Sequence, residues 1–355
     1  MGEDGRKMAN VNILEKKNGK KTECKPTDSK KLIDRLPLVE PKPRATLPDL
    51  DKLEKKLETT IADAEEIEQD IKTIFHNLSS EEKERWLRNR YDSFSDEYDN
   101  YMEKTGHYRA IKKAIAGSVA GTDQGLIRFP ILDLSVGTGM VLEYFLKAIN
   151  KIYKKRGALH FVDKIRKPKK NELLVWANDL SPKMIEKAEE RLKKLELKII
   201  PQPSNNLIFT SISFRDYPHE HSELKNKFGT VFISQTFHVT PEKDALVKAI
   251  DWALAPGGVV VIVEEFQWRT SVHSNLCLRL IEAIATPLPH KADLIALFNK
   301  GGDTQLTYTK EARITIRIDH PTHEMSGFVL KKPGHKQESE RVSIFSSLES
   351  VQKDY

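Results

Sequence analysis

Along residues 1–45 apolar side chains come only in scattered pairs among Lys, Gly, Asn and Pro. They are too few to offset the entropy of ordering the backbone, so a disordered basic leader is expected there. From Leu53 the rhythm changes. Leu57, Ile61, Ala64, Ile67, Ile71 and Ile74 recur at spacings of three and four, which predicts an amphipathic helix over 53–78. Its apolar stripe is expected to pack on the rest of the chain, the alternative being self-association or a partner surface. Ser79 or Ser80 followed by Glu81 and Glu82 reads as a helix start. Trp86, Tyr91, Phe94, Tyr98, Tyr101 and Tyr108 then make an aromatic-rich helical stretch.

Beyond Ile131 the pattern shortens. Ile131–Leu134, Leu173–Ala177, Val231–Ser234 and Val259–Val263 are brief apolar runs separated by segments of helical period. Short buried strands alternating with helices predict a parallel sheet covered on both faces, an α/β doubly wound fold. Helical stretches follow at Asn275–Ala285, stopped by Pro287 and Pro289, and at Ala292–Asn299, ended by Gly301 and Gly302. Ala312–Ile318 and Gly327–Lys331 read as two last strands; their connection is so short that they must run antiparallel. Residues 333–355 are a polar tail.

Composition narrows the class. With 39% hydrophobic residues in 355 the chain can bury a core, and it contains no apolar run long enough to span a bilayer nor a signal-peptide pattern, so a cytoplasmic setting is expected. The two cysteines, Cys24 and Cys277, suggest neither a disulfide framework nor a metal site. A net charge of +6 is largely balanced, and the local excess lies at 151–170, where nine basic residues face only Asp163. A solvated loop is the expected reading of this insert, an anionic partner site the alternative.

The candidate chemistry sits where strands end. Ile131-Leu-Asp-Leu runs into Ser135-Val-Gly-Thr-Gly and then a helix from Met140. Gly137 and Gly139 allow a sharp turn and close approach of a ligand to helix N–H groups, although a Gly-x-Gly turn alone is weak evidence. After the second strand, Asp179 is placed to accept both hydroxyls of a ribose, while Ser181 and Pro182 begin the next helix. Asp179 follows Gly139 by more than the roughly twenty residues usual for such a pair, and the insert at 151–170 accounts for the excess. Asp216, after the third strand, could take an adenine amino group or simply hold a turn before Pro218. Ser234, Gln235 and His238 end the fourth strand, at the edge where such sheets bind ligands.

These residues resemble the class I S-adenosylmethionine-dependent methyltransferase family, in the branch with small-molecule methylases of the quinone-biosynthesis type. Asp133-Leu-Ser-Val-Gly-Thr-Gly looks like its first motif, Asn178-Asp179-Leu-Ser-Pro-Lys-Met like its ribose acid and following helix, and Leu254-Ala-Pro-Gly-Gly-Val like the turn before its fifth strand. Tyr91-Asp-Ser-Phe-Ser-Asp-Glu-Tyr98-Asp, with His107-Tyr108 after it, is similar to the family's entry helix over the cofactor. The resemblance implies a seven-stranded, mostly parallel sheet of order 3-2-1-4-5-7-6 with strand 7 antiparallel. It implies S-adenosyl-L-methionine as cofactor, its methionine end over Ser135–Gly139, its ribose at Asp179, and its adenine between Leu180 and Asp216. The expected layout is therefore a leader at 1–45, a helical extension and cofactor lid at 46–108, the methyltransferase domain at 109–332, and the tail. Ser135 stands where the family usually has glycine, and Thr230 where an aspartate is usual and a surface position is expected.

A sulfonium methyl is already activated, so orientation and water exclusion supply much of the rate and no nucleophile can be read from the residues. His238 and Tyr98, then His107 and Glu264, are candidates for a proton acceptor by position only. Neither an Asn-Pro-Pro-Tyr type of motif nor a Pro-Cys pair is present, so a small-molecule acceptor methylated at O, N or C is the leading expectation. The alternatives are an RNA or protein methyltransferase using the insert, and a catalytically silent cofactor-binding scaffold.

Overall fold

The computed structural model describes residues 46–59, 64–120, 127–155, 173–195, 206–266, 280–281, 283–286, 291–300, 309–317 and 324–334, all within one compact unit, Arg44–Tyr355. The leader at 1–45, nearly all of the basic insert, most of the 275–285 stretch and the tail after 334 lie outside these residues.

Seven strands form one sheet in the order β3-β2-β1-β4-β5-β7-β6. They are β1 (Ile131–Asp133), β2 (Val175–Asn178), β3 (Leu207–Thr210), β4 (Phe228–Ser234), β5 (Leu254–Phe266), β6 (Thr309–Arg317) and β7 (Glu324–Lys331). The first five pair in parallel, and β7 lies antiparallel between β5 and β6. The order and the antiparallel strand agree with the expectation. β5 starts earlier than its apolar run suggested, because Leu254 already pairs with Phe228 before a shift in register.

Register decides where the site falls. Asp133 lies beside Ala177 on one side and Phe232 on the other, so β1, β2 and β4 stop close together and release their connecting turns at one edge. Asn178 stitches this edge. Its buried amide donates to the Ile212 carbonyl at 2.9 Å, and its oxygen accepts from the Ile212 N–H and the Thr210 hydroxyl. A buried amide bonded on both ends fixes strand ends far more firmly than apolar contact would.

The helices are α1 (Leu47–Thr59), α2 (Ala64–Asn77), α3 (Ser80–Lys104), α4 (His107–Ala120), α5 (Met140–Lys155), α6 (Pro182–Lys193), α7 (Tyr217–Glu220), α8 (Lys243–Ala253) and α9 (Lys291–Lys300). Both faces of the sheet are covered. Phe145 of α5 stacks on Phe232 of β4 with centroids 4.3 Å apart, while Leu246, Val247 and Ile250 of α8 join Val231, Ile233 and Val260 beneath the other face. Burying a side chain of this size stabilises the fold by about 1.5–3 kcal/mol each.

Two expectations need correction. The 53–78 stretch falls in two helices, α1 and α2, which pack side by side: Leu50 from α1 and Ile67, Ile71 and Phe75 from α2 meet Trp86 and Leu87 of α3 and Leu280 and Ile284 in one buried cluster. Packing onto the chain itself is thus what the stripe does, and Glu54 adds a 2.7 Å hydrogen bond from the Trp86 indole. Thr230 is fully buried rather than at the surface. Its hydroxyl accepts from the Arg128 N–H and donates to the Arg128 carbonyl, both at 2.9 Å, pinning the segment that leads into β1.

Candidate active site

Between β1 and α5 the chain turns through Gly137 at φ +54° and Gly139 at φ +79°, the left-handed region that favours glycine. The two glycines serve different ends. A Cβ on Gly139 would sit 2.9 Å from the Ala188 Cα, so its bareness lets α6 close against the turn. A Cβ on Gly137 would meet nothing within 4 Å, because that position faces open space. Beneath the turn, the Asp133 carboxylate accepts the Ser135 N–H at 3.0 Å and is buried; burial pushes its pKa up to about 8. Asp133 therefore shapes the turn from below and does not face the cavity. The Ser135 hydroxyl lies 2.5 Å from that of Thr236 and ties this turn to the one after β4.

Asp179 leaves the end of β2 and leans over the glycine turn. One carboxylate oxygen accepts the Gly137 N–H and the other the Ser181 N–H, each at 2.9 Å. The cap of α6 belongs to Ser181, whose hydroxyl accepts the Met184 N–H at 3.1 Å, which leaves Asp179 free to line the cavity. Burial raises the Asp179 pKa to about 6, against the two backbone N–H groups that hold it down, and the nearby Asp92 charge raises it further. Hydroxyl donors favour the ionised form, so a ligand that donates to Asp179 binds best above this pKa. Affinity for S-adenosylhomocysteine is expected to be flat from pH 7 to 8 and to fall towards tenfold per pH unit below about 6. Calorimetric titration across that range checks it; a flat profile down to pH 5 would contradict the ionised-Asp179 contact.

A lid closes the space above. Ser80, Lys83, Glu84, Leu87, Tyr91 and Tyr98 all line the cavity from α3, at spacings that put them on one helical face. Its first turn is fixed by a capping box between Ser79 and Glu82. Side chains then fasten the lid along its length. Ser80 bonds Glu242, and Glu84 accepts from the Ser213 hydroxyl at 2.7 Å and from Arg215 at 2.9 Å. Asp92 accepts the Ser181 hydroxyl at 2.5 Å, and Asp99 accepts those of Tyr108 and Thr138, both at 2.5 Å, and pairs with Arg191. The aromatic stretch is thus held directly to the glycine turn and to the start of α6.

The resulting cavity holds about 890 Å³ of empty space, its mouth included. Its walls are mainly apolar, with Leu87, Leu134, Leu180, Met184, Phe214, Val239 and Pro241. Of the residues singled out from the sequence, Ser135, Gly137, Asp179, Leu180, Ser234 and Tyr98 line it. Asp133 and Gly139 support it from behind. Asp216 does not reach it: the side chain is exposed at the start of α7 and makes no capping bond, and Phe214 takes the wall position instead. His238 is also absent from the wall. It is buried with Nδ1 2.5 Å from Glu264, whose second oxygen accepts the Thr236 and Phe237 N–H groups at 3.0 and 2.8 Å. Burial pushes His238 down, but its ion pairing with Glu264 outweighs this and the net shift is upward. The pair holds the loop after β4 in place. His107 likewise pairs with Glu265, at 3.1 Å.

Gln235, singled out at the end of the fourth strand, lines the cavity; sequence reasoning missed the loop residues Thr236 and Val239–Glu242, which complete the wall. Gln235 sits at φ +54°, a conformation that no residue pattern there announced. The open space over Gly137, the carboxylate at its rim and the apolar shelf of Leu180 and Phe214 fit an adenosyl group, whose ribose is a pair of donors and whose base is flat. Among the described residues no cluster of His, Cys, Asp and Glu could hold a metal ion, and no helix is long and apolar enough to cross a membrane.

A family model described as a methyltransferase domain matches residues 156–262, from the insert through most of β5. No curated protein matches by sequence. Solved structures similar in shape include a chain of the complex between the Haloferax volcanii Trm112 methyltransferase activator and a methyltransferase (18% identity, TM-score 0.44, covering 70% of this chain and 98% of that one). Another is magnesium protoporphyrin IX methyltransferase from Synechocystis with bound S-adenosylhomocysteine (14%, 0.43, 70% and 98%). A third is 1,6-didemethyltoxoflavin-N1-methyltransferase from Burkholderia thailandensis (14%, 0.44, 72% and 91%). The family match begins after the glycine turn and includes Asp179, whose carboxylate reaches back to the Gly137 N–H. Residues 156–262 thus match a methyltransferase-domain model, and they lie in a sheet of the order and antiparallel edge that the resemblance to the class I S-adenosylmethionine-dependent methyltransferases implied.

Proposed function

We propose that the acceptor is a small, largely apolar molecule enclosed between α3, the carboxyl end of β4 and the loop that follows it. The observation that carries this reading is the fastened lid: one face of α3 roofs the cavity and is bonded to three separate parts of the sheet edge. A roofed, mostly apolar cavity suits a metabolite better than a polymer. Asp179 receives the ribose hydroxyls, Leu180 and Phe214 sandwich the adenine, and Ser135, Gly137 and Ser234 flank the methionine end.

When bound, S-adenosylmethionine supplies a methyl group already activated for displacement. The chain's own contribution is then positioning and dryness. Tyr91 and Tyr98 stand in the wall with their phenols pushed well above the usual range by burial, so at neutral pH they keep their protons and act as hydrogen-bond donors. This supports an orienting role for Tyr98 over that of a base. His238, turned to Glu264 and off the wall, is a scaffold for the loop after β4.

The test is incubation of an extract with the protein and a donor carrying a deuterated methyl group, followed by mass spectrometry of all fractions. Label is expected in a low-molecular-weight compound. Label confined to RNA or protein would move the acceptor out of the cavity and sink this reading.

A further inference from the structure

We infer that the acceptor is anionic, and that Lys83 selects it by pairing with its carboxylate or phosphate at the cavity wall; this rests on the small-molecule reading above. The argument is a charge inventory of the wall. Its carboxylates are Glu84, Asp179 and Glu242. Each is engaged: Glu84 by Ser213 and Arg215, Asp179 by two backbone N–H groups, Glu242 by Ser80 with Arg215 3.8 Å away. Lys83 is the cation in this wall, it is only partly exposed, and among the described residues its ammonium has no hydrogen bond or ion pair.

Other cations lie near Lys83. Lys83 is close enough to act electrostatically on His76, as are Lys72 and Lys243. Lys243 stands behind the same loop, donating to the Thr240 carbonyl at 3.1 Å and to the Thr286 hydroxyl at 2.7 Å. The acidic residues nearest in sequence do not reach back: Glu82 is committed to the capping box, and Glu81 points to Arg215. The N-terminus of a 25-residue helix adds positive potential at the same place. Among the described residues the Lys83 ammonium has no ion-pair partner, so an incoming carboxylate or phosphate can pair with it without displacing a protein carboxylate. A second polar group in the wall is also unanswered: the Ser234 hydroxyl at the end of β4, beside the methionine end of the cofactor where the methyl leaves, is buried without a partner among the described residues. An apolar molecule with an acidic end and a polar reacting end satisfies both.

The cofactor's own carboxylate is the competing occupant, so the experiment is run on protein saturated with S-adenosylhomocysteine. Binding of 4-phenylbutyrate, 4-phenylbutyl phosphate and the neutral 4-phenylbutyramide is measured by calorimetry for the wild type and for Lys83→Met. The wild type is expected to prefer the anions at least about tenfold, with a preference that shrinks as salt is raised. Lys83→Met should lose that preference while its S-adenosylhomocysteine affinity stays within about twofold. Equal binding of amide and anions by the wild type would overturn the inference and leave a small-molecule acceptor standing. Weakened S-adenosylhomocysteine binding in Lys83→Met would also overturn it, by assigning the lysine to the cofactor. Absence of binding by all three probes, together with label in polymer fractions above, would bring down the underlying reading instead.

Discussion

Gly137→Val is expected to lower affinity for S-adenosylhomocysteine by at least about a hundredfold, roughly 2.7 kcal/mol, while leaving the protein folded. The reason is the contrast between the two glycines of the turn. At Gly137 a new side chain has no protein atom within 4 Å to strike, so the bulk enters the space above the turn rather than the core. The folded state bears only the strain of a β-branched residue at φ +54°, about 1–3 kcal/mol. In a domain of this size that is a fall in melting temperature of a few degrees per kcal/mol. Gly137→Ala separates the terms, since it carries most of the strain and little of the bulk. Calorimetric titration and a thermal melt on both variants give the answer. A Gly137→Val protein that melts a few degrees lower yet binds normally would place the ligand elsewhere.

The second large effect is at Asp179. Removing a carboxylate that accepts two ribose hydroxyls should cost about 1–3 kcal/mol of cofactor affinity, a factor of roughly 5 to 150. Here the structure adds a complication. The same carboxylate holds the Gly137 and Ser181 N–H groups, so Asp179→Ala also loosens the glycine turn and the start of α6. A bare loss of affinity therefore mixes a ligand contact with a scaffold contact, and the two must be separated by changing the ligand as well as the protein.

The frame of the site was legible because it depends on local rules. Strand, glycine turn and helix follow one another in sequence at Ile131–Met140, and Asp179 is fixed by the end of an adjacent strand, so period and turn chemistry were enough to bring them together. The antiparallel last pair followed from chain length alone. What could not be read depends on partners far apart in the chain. Glu54 with Trp86, Asp99 with Thr138 and Arg191, and Glu84 with Ser213 are each separated by thirty or more positions, and nothing near them in sequence marks them as pairs. The single helix expected over 53–78 failed for the opposite reason: spacings of three and four persist across the gap between α1 and α2, so the period carried no sign of the break. Asp216 was drawn in by its position after β3. The turn that follows faces it to solvent, and the wall position goes to Phe214 two residues earlier. The lid face on α3, Ser80 to Tyr98, was visible as helical spacing, but which face would turn to the cavity is decided by bonds at Glu242, Arg215 and Ser181.

The convergence of the glycine turn and Asp179 on an adenosyl group is tested most directly by a double-mutant cycle between protein and ligand. S-adenosylhomocysteine and its 2′,3′-dideoxy analogue are titrated into the wild type and into Asp179→Ala. The wild type should bind the parent compound tighter by about 1–3 kcal/mol, and Asp179→Ala should bind the two almost equally. A variant that discriminates between them as well as the wild type does would show that the ribose lies away from Asp179, and the site as described here would be wrong.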